Sequence, residues 1–165
     1  FTPVEKEPAL RQFLLLVGGL RALGEGAHDP RLVLDAYLLR SLAVAGYAPA
    51  LDECAICGTR APAPEEALAT AAEPAGTGQP GRPPSNFRAF AIPAGGLVCG
   101  SCRAPGAATP SAQTIALMSA LLSGDWPHAD ASERRYQVEC SGLVAAYLQW
   151  HLEHSIRSLK HVEHA

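Results

Sequence analysis

Four cysteines stand in two pairs, Cys54 with Cys57 and Cys99 with Cys102, each with two residues between its members. Such a gap lets both thiolates of a pair reach one ion at ~2.3 Å while the backbone turns around it, so the two pairs supply the donors of a tetrahedral zinc site. Gly58 follows the first pair and Gly100 lies within the second, where positive φ would ease both turns. The pairs are 41 residues apart, beyond the ~15–20 of the compact zinc pattern. Setting aside the 26 residues from Ala61 to Asn86 leaves 15.

Other chemistries suit these thiols less well. A redox dithiol needs one pair at a helix start after a strand, and no βαβ pattern is readable. Disulfides across two residues strain the chain and belong to an oxidising compartment. Inert buried thiols, or a lost metal, complete the alternatives. Catalytic zinc keeps a position open for water, whereas four cysteines close the sphere. The base-deaminase pattern is met only superficially by His151-Leu152-Glu153, which follows both pairs instead of preceding them. Glu53 and Val98 also stand where that pattern has proline.

The fifth cysteine, Cys140, shares a helix face with Leu143, Val144 and Tyr147 and reads as a small buried hydrophobe. His151 and His154 lack a third ligand at matching spacing and read as solvated or core-edge residues; Tyr147 and Trp150 read as anchors of the last helix. Arg157 and Lys160 suit a helix C-terminus. Arg88 and Arg103 flank the cysteine region beside acidic Asp52 and Glu53, which makes a weak nucleic-acid surface. No phosphate loop, carboxylate dyad or Ser-His-Asp set is readable.

The elements that must position the cysteines are helical. Thr2, Pro3 and Glu5 have the spacing of a short lead-in helix that Pro8 interrupts. From Pro8 on, Leu10, Phe13, Leu14, Val17, Leu20 and Leu23 predict a helix face turned to the core, ended by Gly24 and Gly26. Asp29 and Pro30 start a second helix whose face is Leu34, Tyr37, Leu38, Ser41, Leu42 and Ala45. A third begins at Thr109-Pro110, carries Ile115, Met118, Leu121 and Leu122, and stops at Gly124. A fourth opens with Asp130 and Glu133 in capping-box spacing and runs to Val162. The expected fold is mainly α: a helical bundle with an inserted Cys₄ zinc-finger module containing a short β-hairpin.

The expected organisation is a single helical domain over 1–165 with the zinc finger at 52–106. Within it, 61–86 is rich in Ala, Pro and Gly with a single Leu, and predicts a disordered loop. Phe87 to Val98 returns to strand-forming residues, with Phe90 and Ile92 alternating before the Gly95-Gly96 turn. The 165 residues carry a net charge of −3, with no basic block and the acidic excess concentrated in 104–133. Thiolates holding a dication would add to that acidity, so the chain alone is a poor match for nucleic acid. The longest apolar run falls short of the ~18 residues of a membrane span, and no secretion signal is readable; a soluble, cytoplasmic protein is expected. The start at Phe1 suggests a piece of something longer.

Taken in order, DPRLVLDAYLLRSLAVAGYAP, Cys-x-x-Cys-Gly, FRAFAIPAGGLVCGSC, a helix before Gly-Asp-Trp, and SGLVAAYLQWHLEHSIRSLKHVEHA resemble the C-terminal part of the RecO family of bacterial DNA repair proteins, most of all its actinobacterial members. The likeness covers almost the whole chain. It implies a non-enzymatic recombination mediator whose N-terminal OB-fold is missing here, with Cys54, Cys57, Cys99 and Cys102 as ligands of one structural zinc ion. It implies that RecR and single-stranded-DNA-binding protein, through its C-terminal tail, are partners, and that single- and double-stranded DNA bind mainly through the missing domain. Such proteins help load recombinase on single strands and anneal complementary ones. Apolar grooves edged by Arg31, Arg40 or Arg157 are the expected seats of an acidic-hydrophobic tail. Ala61 to Asn86 departs from the family as an insertion. The rival readings are a zinc-dependent nucleic-acid-processing enzyme and a stand-alone zinc-finger DNA-binding module. Removal of metal is expected to disorder the finger while the bundle survives.

Overall fold

The computed structural model describes residues 6–61 and 89–162, with side chains described for 7–61 and 89–155. The elements are α1 (Lys6–Glu25), α2 (Pro30–Val44), β1 (Ala89–Ala91), β2 (Gly96–Val98), α3 (Ala112–Ser123), α4 (Trp126–Asp130) and α5 (Arg134–Val162). The expected lead-in caps, most of the 61–86 loop, Phe87 and Arg88 lie outside the described residues. No helix of the described residues is long and apolar enough to cross a membrane.

α2, α3 and α5 pack on one another and form the bundle's centre. Leu32, Ala36, Leu39 and Leu42 of α2 meet Leu117, Met118 and Leu121 of α3 and Cys140, Val144 and Tyr147 of α5. On α5 the inward residues Gln137, Cys140, Val144 and Tyr147 recur at three and four, the period that holds one helix face against a core. Leu39 is completely buried, and each such side chain contributes about 1.5–3 kcal/mol.

Helix starts follow side-chain chemistry. Asp29 accepts the Arg31 amide at 2.8 Å with Pro30 in the first turn, as the sequence predicts. Pro8 does not interrupt α1, because it falls in the first turn, where no intrahelical bond is lost. α3 starts three residues after Thr109: Ser111 caps it by accepting the Thr114 amide, and Glu139 of α5 accepts from the Ser111 hydroxyl at 2.7 Å and from the Thr114 hydroxyl. Gly124 ends it in the left-handed region, as expected.

Three further sequence expectations are corrected. Leu10, Phe13, Leu14, Leu20 and Leu23 do not face the core; all are 46% exposed or more. α1 leans on α2 through another side, where Gln12 donates to the Ser41 carbonyl at 2.9 Å and Gly19 faces Tyr37. On α2 the core side is Leu32, Ala36, Leu39 and the expected Leu42, with Leu38 packed against it, while Leu34 is 54% exposed and Tyr37 and Ser41, partly buried, face α1. Finally, Asp130 caps nothing. It ends the unforeseen helix α4, its carboxylate 2.7 Å from His28 Nδ1, and α5 begins at Arg134.

The hairpin pairs Ala89 with Val98, Phe90 with Leu97 and Ala91 with Gly96. Alternation sends Phe90 and Leu97 into the bundle core, while Ala89, Ala91 and Val98 face the other way and pack with Cys54. The hairpin is therefore a wall shared by two clusters.

Candidate metal centre

Three segments bring the four sulfurs together. Residues 50–55 run beside β2: the Ala50 amide donates to Gly95 O at 2.9 Å, Leu97 N donates to Ala50 O at 2.8 Å, and Ala55 N donates to Leu97 O at 2.8 Å. The approach requires glycine, since a Cβ at Gly96 would lie 2.3 Å from the Ala50 oxygen. The first cysteine turn closes through Gly58 N to Cys54 O at 2.9 Å and Cys54 N to Thr59 O at 2.7 Å, with Gly58 at φ 72°. Cys102 N to Cys99 O at 3.1 Å closes the second. Gly100 is not among the positive-φ glycines; Gly95, at φ 89°, turns the chain ahead of β2 instead.

All four Sγ atoms lie within 4.8 Å of one another, and Cys57 and Cys99 Sγ are 3.7 Å apart. Metal–sulfur bonds of ~2.3 Å at tetrahedral angles need edges of ~3.8 Å, so the cluster is close to the size of a bound ion. Cys54 is buried, Cys99 and Cys102 half-buried, and Cys57 exposed. Burial alone would raise the Cys54 pKa, but hydrogen bonds from the backbone of Cys57, Cys99 and Ile56 bring it down to about 6. The Thr59 hydroxyl and amide lower that of Cys57. Cys102 is pushed up to about 12, first by its hydrogen bonding with Cys99 and then with Cys57, which favours its protonated thiol. Thiolates are the metal-binding form, and these four are the residues that would hold a dication. Thr59 and Ala50 escaped the sequence reading; the position of Thr59 directly behind Cys-x-x-Cys-Gly was the available signal.

Other candidates lie elsewhere. Cys140 sits at 0% exposure in the bundle core, its thiol pushed up to about 12 by burial. His151 packs between Tyr47 and Tyr147 at ring distances of 4.6 and 4.5 Å, and burial lowers its pKa. His154 stacks on Trp150 with Nδ1 2.8 Å from the Trp150 carbonyl. Among the described residues, neither belongs to a group that could hold an ion. Arg31 is exposed at the start of α2. Arg40 donates through Nε to Leu121 O at 2.9 Å, at the end of α3, with its guanidinium 5.9 Å from the Trp126 ring. Nine residues separate the two arginines, which puts them on opposite sides of α2. The side chain of Arg157 lies outside the described ones.

Fold and site together define a helical domain in which two Cys-x-x-Cys turns, close enough to hold one metal ion, are built onto a hairpin packed against the bundle. A family model described as the C-terminal part of recombination protein O matches residues 3–160. The chain belongs to the RecO family. It is 60% identical over 162 residues to the DNA repair protein RecO of Thermobifida fusca, covering 98% of this chain and 57% of that protein. Identity to RecO of Streptomyces griseus is 53% over 163 residues, 99% of this chain and 56% of the relative. RecO of Frankia casuarinae is 45% identical over 164 residues, covering 99% and 58%. The chain thus spans little more than half the length of these relatives. No solved structure gives a significant match.

Proposed function

We propose that this chain is the C-terminal, zinc-binding helical part of a non-enzymatic recombination mediator that acts in DNA repair. The observation that carries the reading is 60% identity to a DNA repair protein RecO along 98% of the chain. Zinc is the favoured ion because four thiolates at tetrahedral spacing suit a borderline-soft cation and leave no position for a reacting water. What the chain's own residues do is positional: Cys54, Cys57, Cys99 and Cys102 would fix the hairpin, and the hairpin holds one wall of the bundle. The proposed partners are RecR and the acidic-hydrophobic tail of single-stranded-DNA-binding protein, with DNA held mainly by the part of the relatives that this chain does not cover. Arg31, Arg40 and Arg157 are proposed as separate tail contacts, since α2 turns the first two apart.

The test is loading of recombinase onto single-stranded DNA coated with single-stranded-DNA-binding protein, using the full-length polypeptide and RecR. Acceleration of loading, with no change to the DNA's covalent structure and one zinc per chain by elemental analysis, is the expected result. Failure to accelerate loading, or release of a hydrolysed or deaminated nucleotide, overturns the reading. Alanine at each of the three arginines should weaken tail affinity; unchanged affinity in all three removes the docking proposal alone.

A further inference from the structure

Among the described residues, most large apolar side chains left in solvent are on one helical hairpin. Leu10, Phe13, Leu14, Leu20 and Leu23 of α1 and Leu34 of α2 are 46–60% exposed, six neighbouring residue positions on a surface where scattered single leucines are the rule. Their arrangement has a direction. Gln12 bonded to the Ser41 carbonyl and Gly19 facing Tyr37 show α1 running antiparallel to α2, which carries the Leu23 end of α1 toward the Leu34 end of α2. The inner side of α1 is spent on α2; the outer side is largely apolar and meets nothing among the described residues.

α1 is also a weak helix by composition. Gly18, Gly19 and Gly24 lie within it, and nothing comes within 4 Å of a Cβ built at Gly18 or Gly24. Glycine is the weakest helix former after proline, most of all in a helix interior such as that of Gly18 and Gly19. A helix of this kind, leaning on a single neighbour, gains its order from a second surface.

We propose that the outer side of α1 is a docking face covered, in the longer protein, by the polypeptide that precedes the matched region. The matched region is the C-terminal one by its family description, and it makes up only 56–58% of the relatives above. A large part of each relative therefore comes before the residue that aligns with the start of α1, within reach of its apolar side. Pairing with a second copy is the weaker alternative. One 20-residue helix against its copy falls at or below the low end of the ~1,200–2,000 Å² of a stable interface. A tethered segment needs less area, because its effective concentration is already about millimolar.

The test uses the full-length polypeptide and hydroxyl-radical footprinting with mass spectrometry. Oxidation of Phe13, Leu14 and Leu20 should be reduced about tenfold relative to exposed Leu152, at every protein concentration. Oxidation equal to that of Leu152 overturns the proposal, and protection that appears only with rising concentration and a doubled mass assigns the face to a second copy. As an independent arm, Phe13→Glu with Leu20→Glu should increase protease cleavage ahead of α1 about tenfold, while helical circular dichroism stays constant. Cleavage unchanged from wild type in such a folded variant overturns it as well. If that variant loses its helical signal, the footprint of the unaltered protein decides alone.

Discussion

The two hydrophobic clusters differ in what fills them. The bundle core holds Leu32, Leu39, Leu117, Met118, Leu121, Phe90 and Tyr147; the cluster beside the cysteines holds Cys54, Ala89, Ala91 and Val98. Large side chains give the first enough buried area to hold itself together. With three small residues and one valine, the second has little beyond its sulfurs. The difference teaches where order must come from on each face of one hairpin: packing suffices on one side, while the other, under the proposed reading, depends on an ion held by the four sulfurs.

Metal removal should break that comparison most strongly. Structural zinc contributes on the order of 10 kcal/mol at such sites. Chelation of the purified chain should therefore abolish hydrogen-exchange protection at Ala55, Leu97 and Cys102, whose amides bond within the module. It should also reach the bundle, because Phe90 and Leu97 leave the core with the hairpin. At about 1.5–3 kcal/mol per buried side chain, the helices lose roughly 3–6 kcal/mol. Unchanged protection of α3 and α5 after chelation would restore the simpler expectation of an independent finger.

Leu39→Ala tests the other side. A fully buried leucine replaced by alanine costs about 2–5 kcal/mol, read as a lower denaturation midpoint, with the zinc content of the folded protein unchanged. A smaller probe sits at the join. Tyr147 donates to the Tyr47 carbonyl at 3.2 Å and stands edge-on to Phe90, so Tyr147→Phe should cost about 1 kcal/mol. Its effect should shrink in the chelated protein if Phe90 has withdrawn.

The smallest effect is a pH slope confined to the bundle. Burial raises the Asp35 pKa above 3.8, despite the Ser141 hydroxyl donating to it at 2.5 Å and the nearby Arg31 charge. A carboxyl with a raised folded pKa favours folding while protonated, so its contribution is full below the unfolded value. It declines as pH rises through the folded value and stays level above it. Asp35→Asn should flatten stability across that window and leave the protein at least as stable at pH 7; a slope identical to wild type would sink the assignment.

The clustering of the four cysteines was legible because spacing constrains it: two residues within each pair leave few other geometries, and Gly58, though not Gly100, turns the chain as expected. The Asp29-Pro30 start and the Gly124 stop were legible for a similar reason, since caps act locally. The side of α1 was not, because periodicity reports an apolar stripe without reporting what covers it. α2 misled for a related reason, being flanked by α1 and by the bundle, with apolar residues on both sides. α4 carried a signal that passed unused: Asp125 caps it and Pro127 lies in its first turn, the chemistry that marked α2. Nor could charge pattern foresee that Asp130 pairs with His28, a partner 102 residues away.

The two ends of the stretch between the cysteine turns are both pinned. Ala61 donates its amide to the Asp52 carbonyl at 2.8 Å, and Ala89 pairs with Val98. Whatever joins these anchors can lengthen or shorten at little cost, because closure entropy grows only with the logarithm of length. Evolution, or an engineer seeking a place to splice a fluorescent reporter, can treat that junction as a socket while the sulfurs keep their places.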